Sequence, residues 1–158
     1  MRKSLLFKVL LVALIISVGC CKRHDGDTSA LLSADEAFSR MSVEKGMNAA
    51  FIFFAADSMI KMRDGKFPLT TKAEMSAEFL RHPDSGMVLK WAPLKAEAAM
   101  SDDMGYTFGN WELYLESADT TLYGNYVSVW KKQSDGTWKY ILDAGCNTPK
   151  PSEIQHKP

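Results

Sequence analysis

Apolar and polar positions along the chain fall into three regimes. Residues 9–18 are an apolar run behind Arg2, Lys3 and Lys8; helical spacing dominates from Ser33 to Arg81; period-two alternation takes over from Met87 to Asp143. In the helical regime Ser33-Ala34-Asp35-Glu36 reads as a capping box, the Ser accepting from the third helical N–H and the Glu reaching back. It predicts a helix with Ala37, Phe38, Met41 and Val43 as apolar positions, ending near Gly46. Residues 47–59, MNAAFIFFAADSM, form a second helical stretch in which Ala50, Phe51, Phe54 and Ala55 are spaced for burial. A short strand over residues 60–63 precedes the break at Asp64-Gly65-Lys66-Phe67-Pro68. Thr71-Lys72-Ala73-Glu74 is a second capping box, opening a third helix that runs to about Arg81 and stops at His82-Pro83-Asp84-Ser85-Gly86.

The pattern then turns to strands over residues 87–100 and 107–116, with a turn at 101–105, and closes in GNYVSVWKKQSDGTWKYILDAGCN, residues 124–147. Ser134-Asp135-Gly136 between runs rich in Val, Ile, Tyr and Trp predicts a hairpin, because Gly accepts the positive φ of a tight connection. Alternation puts Tyr126, Ser128 and Trp130 on one face and Val127 and Val129 on the other. In the partner strand it sets Trp138, Tyr140 and Leu142 against Lys139, Ile141 and Asp143, so that Asp143 shares a face with Ile141. Helices first and long antiparallel strands after give an α+β fold, with helices on one face of a curved sheet.

The first apolar run is too short to span a ~30 Å hydrocarbon core and reads as a signal peptide over residues 1–19. Its end, Ser17-Val18-Gly19-Cys20, resembles the lipobox of bacterial lipoproteins, which makes Cys20 the lipidated first mature residue, the alternative being plain secretory cleavage nearby. The expected location is therefore the bacterial cell envelope, with a membrane contact through the lipid. Residues 20–32 are anchor and tether, 33–149 one domain, and 150–158 a polar tail. The chain has 19 basic and 19 acidic residues; losing Arg2, Lys3 and Lys8 leaves a formal charge of −3. With no basic stripe, nucleic acid is not an expected partner. Cys146 reads as a partly buried free thiol ending the last strand, its pairing with Cys21 being the alternative.

The segments AFSRMSVEKGMNAAFIFFAADSM, FPLTTKAEM, LKWAPLKAEAAMSDDMGYTFGNWEL and GNYVSVWKKQSDGTWKYILDAG resemble the SnoaL-like domains of unknown function in the nuclear transport factor 2-like superfamily. The resemblance covers Ser33 to about Pro149. It implies a cone-shaped α+β fold in which N-terminal helices pack on a strongly curved antiparallel sheet around a pocket, often in a homodimer. Relatives of that kind include ketosteroid isomerases, polyketide cyclases and dehydratases, and also proteins without catalysis.

Isomerase-type chemistry needs a carboxylate base in an apolar cavity and a donor aimed at the developing enolate oxygen. Asp143 is the candidate base, with Tyr106, Tyr126 and Trp111 as donors; the other reading is that Asp143 accepts hydrogen bonds and closes the strand. Asp57 is a weaker candidate. Phe51, Phe54, Trp91, Trp111, Tyr126 and Trp130 either line a pocket or form core, with Trp91 and Trp111 the most pocket-directed. His24, His82 and His156 are far apart, and neither HExxH nor a CxxC pair occurs, so no metal is expected. There is no phosphate loop and no G-x-S-x-G elbow, and no cofactor is expected. Three functions stay open: a domain binding a small, partly apolar molecule, a proton-transfer isomerase, dehydratase or cyclase using Asp143, and a non-catalytic dimeric interaction module.

Overall fold

A computed structural model describes residues 28–151. Helices α1 (Ser29–Lys45) and α2 (Met47–Phe54) lead into a hairpin of β1 (Ala55–Arg63) and β2 (Lys66–Thr71), and α3 (Lys72–Arg81) follows. Four long strands complete the domain: β3 (Met87–Ala98), β4 (Met104–Leu115), β5 (Thr120–Lys132) and β6 (Trp138–Thr148). They form one six-stranded sheet in the order β2-β1-β6-β5-β4-β3. Every neighbouring pair is antiparallel except β1 with β6. The expected α+β class, helices on a curved and mostly antiparallel sheet, is what the chain adopts.

The first helix starts a turn earlier than Ser33 suggested. Its N-cap is Thr28, with no side-chain cap bond, and its buried stripe runs Leu31, Asp35, Phe38, Ser39, Ser42. Leu31 is fully buried. Burying a leucine is worth about 1.5–3 kcal/mol against about 1 for a serine cap, so the earlier start wins. At Thr71 the capping reading holds, since the Glu74 N–H donates to Thr71 Oγ1 at 3.1 Å. The Glu74 carboxylate reaches one residue further than expected, accepting from Thr70 N at 2.9 Å.

The second helix is shorter than residues 47–59. It stops at Phe54 because Ala55 turns extended and pairs with Tyr140 of β6. Eight apolar-rich residues have the same look in a buried helix and a buried strand, and here the distant partner strand decides. Its N-terminus is capped from a distance, with Asn48 N donating to Asp84 Oδ2 at 2.8 Å.

A second correction concerns Asp143. The β5–β6 register slips by one residue between Val129/Leu142 and Trp130/Tyr140, leaving Ile141 as a β-bulge. A bulge inverts the side-chain alternation beyond it. Asp143 therefore pairs with Ser128 and joins the inner face with Tyr140, not the face of Ile141.

Phe38 is the hub of the core. Its ring lies 4.8 Å from Phe51, 4.6 Å from Trp91 and 5.6 Å from Tyr140. Met59, Met75 and Trp130 fill in around it. Edge strand β3 is sealed by α1: Ser39 Oγ donates to Trp91 O at 2.7 Å and accepts from Trp91 N at 2.9 Å, and Ser42 Oγ donates to Leu89 O at 2.8 Å. Helix hydroxyls thus satisfy backbone groups that an open edge would leave unpaired.

Candidate binding cavity

Between α2, the β1 turn and the inner face of the sheet lies a cavity of about 670 Å³. Phe51, Leu89, Trp91, Trp111 and Leu113 give it apolar walls, and Lys61, Tyr126, Ser128 and Asp143 give it a polar side. Trp111 stands there because the sheet makes room for it. A Cβ on Gly124, its cross-strand partner, would fall 2.1 Å from the indole ring, and one on Gly145 would fall 3.3 Å from Nε1. The indole N–H is spent on Asn125 O at 3.0 Å. A second hollow, about 880 Å³, lies on the other side of Trp91 and Trp111 against Thr148 to Pro151, with no buried polar side chain in its wall.

Two polar clusters border the first cavity. In one, Asp143 accepts from Lys61 Nζ at 2.8 Å and from Ser128 Oγ at 2.8 Å. Lys61 also lies over the Phe51 ring, 3.7 Å from its centroid. Parallel β1–β6 pairing builds this contact by setting Lys61 directly beside Asp143. In the other cluster Asp35, with 0% of its surface exposed, accepts from Trp91 Nε1 at 2.9 Å and from Tyr126 Oη at 2.5 Å. Thr107 also donates to it, and the Thr107 oxygen accepts from Trp130 Nε1 at 2.9 Å. Burial raises the Asp35 carboxyl above its ordinary value, against the lowering pull of these three donors, and the nearby Asp143 charge adds a smaller upward push. Burial first, then the Asp35 charge and hydrogen bond, push the Tyr126 phenol far up. Tyr140 is also pushed up, by burial and then by Asp143.

Of the candidates read from sequence, Phe51, Trp91, Trp111, Tyr126 and Asp143 all line the cavity. Four are placed elsewhere, Asp57 being exposed on β1. Tyr106 pairs with Val129 in the phase opposite to inward Thr107, which puts it on the outer face of the sheet. Phe54 and Trp130 belong to the packed core. Cys146 is a free, exposed thiol at the cavity rim, more open than expected. Arg63, also at the rim, is engaged by Glu78 at 3.0 Å and by Phe67 O. Cys20, Cys21, His24 and His156 lie outside the described residues, and among those described no His, Cys, Asp or Glu cluster could hold a metal ion.

Asp35, Lys61 and Ser128 did not enter the sequence reading as site residues. Asp35 carried a signal all the same. It sits four residues after Leu31 and three before Phe38, a polar side chain at a buried position of an amphipathic stripe.

This arrangement of three helices on a strongly bent sheet recurs among solved structures. A ketosteroid isomerase-like protein from Erwinia carotovora atroseptica superimposes with a TM-score of 0.62 at 14% identity, covering 79% of this chain and 98% of its own. The fold is that of the nuclear transport factor 2-like proteins. One such protein of unknown function, from Shewanella oneidensis, matches with a TM-score of 0.60 at 17% identity, over 75% of this chain and 97% of its own. Another, from Pseudomonas putida, matches with a TM-score of 0.61 at 17% identity, over 79% and 88%. No protein-family model and no curated protein matches the sequence. At these identities the shared nuclear transport factor 2-like fold speaks to shape alone.

Proposed function

We propose that this chain is a SnoaL-like, lipid-anchored domain of the bacterial cell envelope that binds a small, partly apolar molecule in the cavity beneath α2. The observation that carries the binding reading is the cavity itself. Its roughly 670 Å³ is of ligand size, and mostly apolar walls meet a few convergent polar groups, as in small-molecule sites generally. The export and anchoring part rests on the apolar run and on Ser17-Val18-Gly19-Cys20. The apolar outer sheet face, where Phe108 pairs with Val127 and Tyr106 with Val129, is the surface we assign to a homodimer.

A proton-transfer enzyme built on Asp143 is the weaker reading. The carboxylate does line the cavity, but it already holds Lys61 and Ser128, and the Tyr126 hydroxyl that would serve an enolate is spent on Asp35. Native mass spectrometry of the protein recovered from its own membranes tests the proposal. The expected result is a lipid mass at Cys20 together with a retained small molecule that Trp111→Ala releases from a still folded domain. An unmodified Cys20 refutes the anchoring, and a Trp111→Ala variant that simply unfolds refutes the assignment of Trp111 to a ligand wall.

A further inference from the structure

Resting on the reading of the cavity as a binding site, the hydrogen-bond directions of its inner polar groups dictate what the ligand must bring there, Arg63 and the exposed Asn147 standing at the rim. The Trp91 indole N–H goes to Asp35, that of Trp111 to Asn125 O, the Tyr126 hydroxyl proton to Asp35 and the Ser128 hydroxyl proton to Asp143. A hydroxyl has one proton, and once that is given its oxygen can only accept; a carboxylate has none. The chain of donors running from Trp130 through Thr107 to Asp35, joined there by Trp91 and Tyr126, fits Asp35 as a carboxylate. Its direction keeps the Tyr126 proton turned away from any ligand. Tyr126, Ser128 and Asp143 therefore offer oxygen acceptors. Lys61 supplies the opposing donors: one ammonium N–H is held by Asp143, two remain for a ligand, and the group lies over the Phe51 ring.

We propose that the cavity selects an uncharged alcohol, an apolar body whose hydroxyl donates to the oxygens of Asp143, Ser128 or Tyr126 and accepts from Lys61. At these inner groups a ketone satisfies Lys61 alone and leaves desolvated acceptors without a proton. A carboxylate meets the Asp143 charge, and an ammonium meets the Lys61 charge. This is the reverse of an oxyanion site, where the wall donates and the ligand accepts.

Three molecules sharing one skeleton, 2-tetralol, 2-tetralone and 2-aminotetralin, test it by calorimetry and by the fluorescence of Trp91 and Trp111 in the full chain at neutral pH. The alcohol should bind at least about tenfold more tightly than the ketone and the amine, since a polar site discriminates against an analogue that leaves its groups unpaired. Asp35→Asn carries the argument further, because the amide donates to the Tyr126 oxygen and releases the phenol proton toward the cavity. The alcohol-to-ketone ratio should then fall at least threefold, with the ketone gaining. Should that variant not fold, Tyr126→Phe replaces it, lowering alcohol affinity while leaving the ketone unmoved.

A ketone or amine that binds as tightly as the alcohol overturns the selectivity while the binding reading stands. An alcohol-to-ketone ratio indifferent to both substitutions also overturns it. If none of the three probes binds, the cavity reading falls and the selectivity falls with it.

Discussion

Replacing Asp35 by Ala puts the buried polar cluster to a direct test. The side chain is wholly inaccessible and accepts from Trp91 Nε1, Tyr126 Oη and Thr107. Truncation strands a fixed indole N–H and leaves two hydroxyls seeking other acceptors in a dry interior, and each stranded donor costs about 1–3 kcal/mol. Removing a carboxylate that burial disfavours gives part of that back, which is the same desolvation that raises its pKa. The balance is a loss of about 3 kcal/mol, a large share of the ~5–15 kcal/mol typical of a domain. Asp35→Asn should lose only about 1 kcal/mol, because the amide oxygen still accepts from Trp91 while the Tyr126 hydroxyl turns to accept from the amide nitrogen. Urea unfolding followed by tryptophan fluorescence reads both. With a slope near 1.5 kcal/mol/M, Asp35→Ala should lower the midpoint by about 2 M without changing the slope. An alanine variant within about 0.5 kcal/mol of wild type, or an asparagine variant as damaged as the alanine one, would refute a fully supplied carboxylate at this position.

The same group sets a pH dependence of defined sign. The unfolded Asp35 titrates at its ordinary 3.8 and the folded one higher, so its contribution is full below 3.8 and is lost as pH rises through the raised folded value. Asp35→Asn lacks that slope, so the stability of Asp35→Asn relative to wild type should climb as pH is raised from below 3.8 toward neutrality; a flat or falling difference in parallel denaturation series contradicts it. Gly124→Ala would place a Cβ 2.1 Å from the Trp111 ring and 2.2 Å from Cys146 O, and should destabilise by about 2–3 kcal/mol with a shifted indole emission. An unchanged melting curve would mean that Trp111 is loosely held. Ser39→Ala unseals the β3 edge at Trp91 and should cost about 1–2 kcal/mol, with faster hydrogen exchange of the Trp91 amide as its specific mark. Unaltered exchange there would show that the hydroxyl is not what protects the edge.

The closing hairpin, the Thr71 start of α3 and the long strands were all legible because each depends on residues a few positions apart. Gly136 takes φ 84° in its turn, and Gly136 N donates to Gln133 O at 2.9 Å, as a Ser-Asp-Gly connection implies. The site was legible in part. Alternation put Tyr126, Ser128 and Trp130 on one face correctly, yet placed Asp143 on the wrong one. Nothing local marks Ile141 as the residue a bulge would absorb; the register of two packed strands does. Trp130, a candidate for pocket wall or core, sits in the core against Phe38. Its face was right, but its depth along the strand depends on where the helices land.

Asp35 shows the other kind of miss. Local chemistry offered it as part of a capping box, while burial of Leu31 one turn earlier carried the helix past that cap and turned the carboxylate inward. Lys61 meets Asp143 across 82 positions of sequence, through a parallel pairing with no local trace.

By itself the sequence determined the fold class, the hairpin and the aromatic stock of the cavity, because period and turn chemistry act over a few residues. Only the tertiary structure decided which polar groups face that cavity and in which direction their protons point. Those properties follow from strand register and helix docking, and a single-residue slip in register carries a side chain from one face of the sheet to the other.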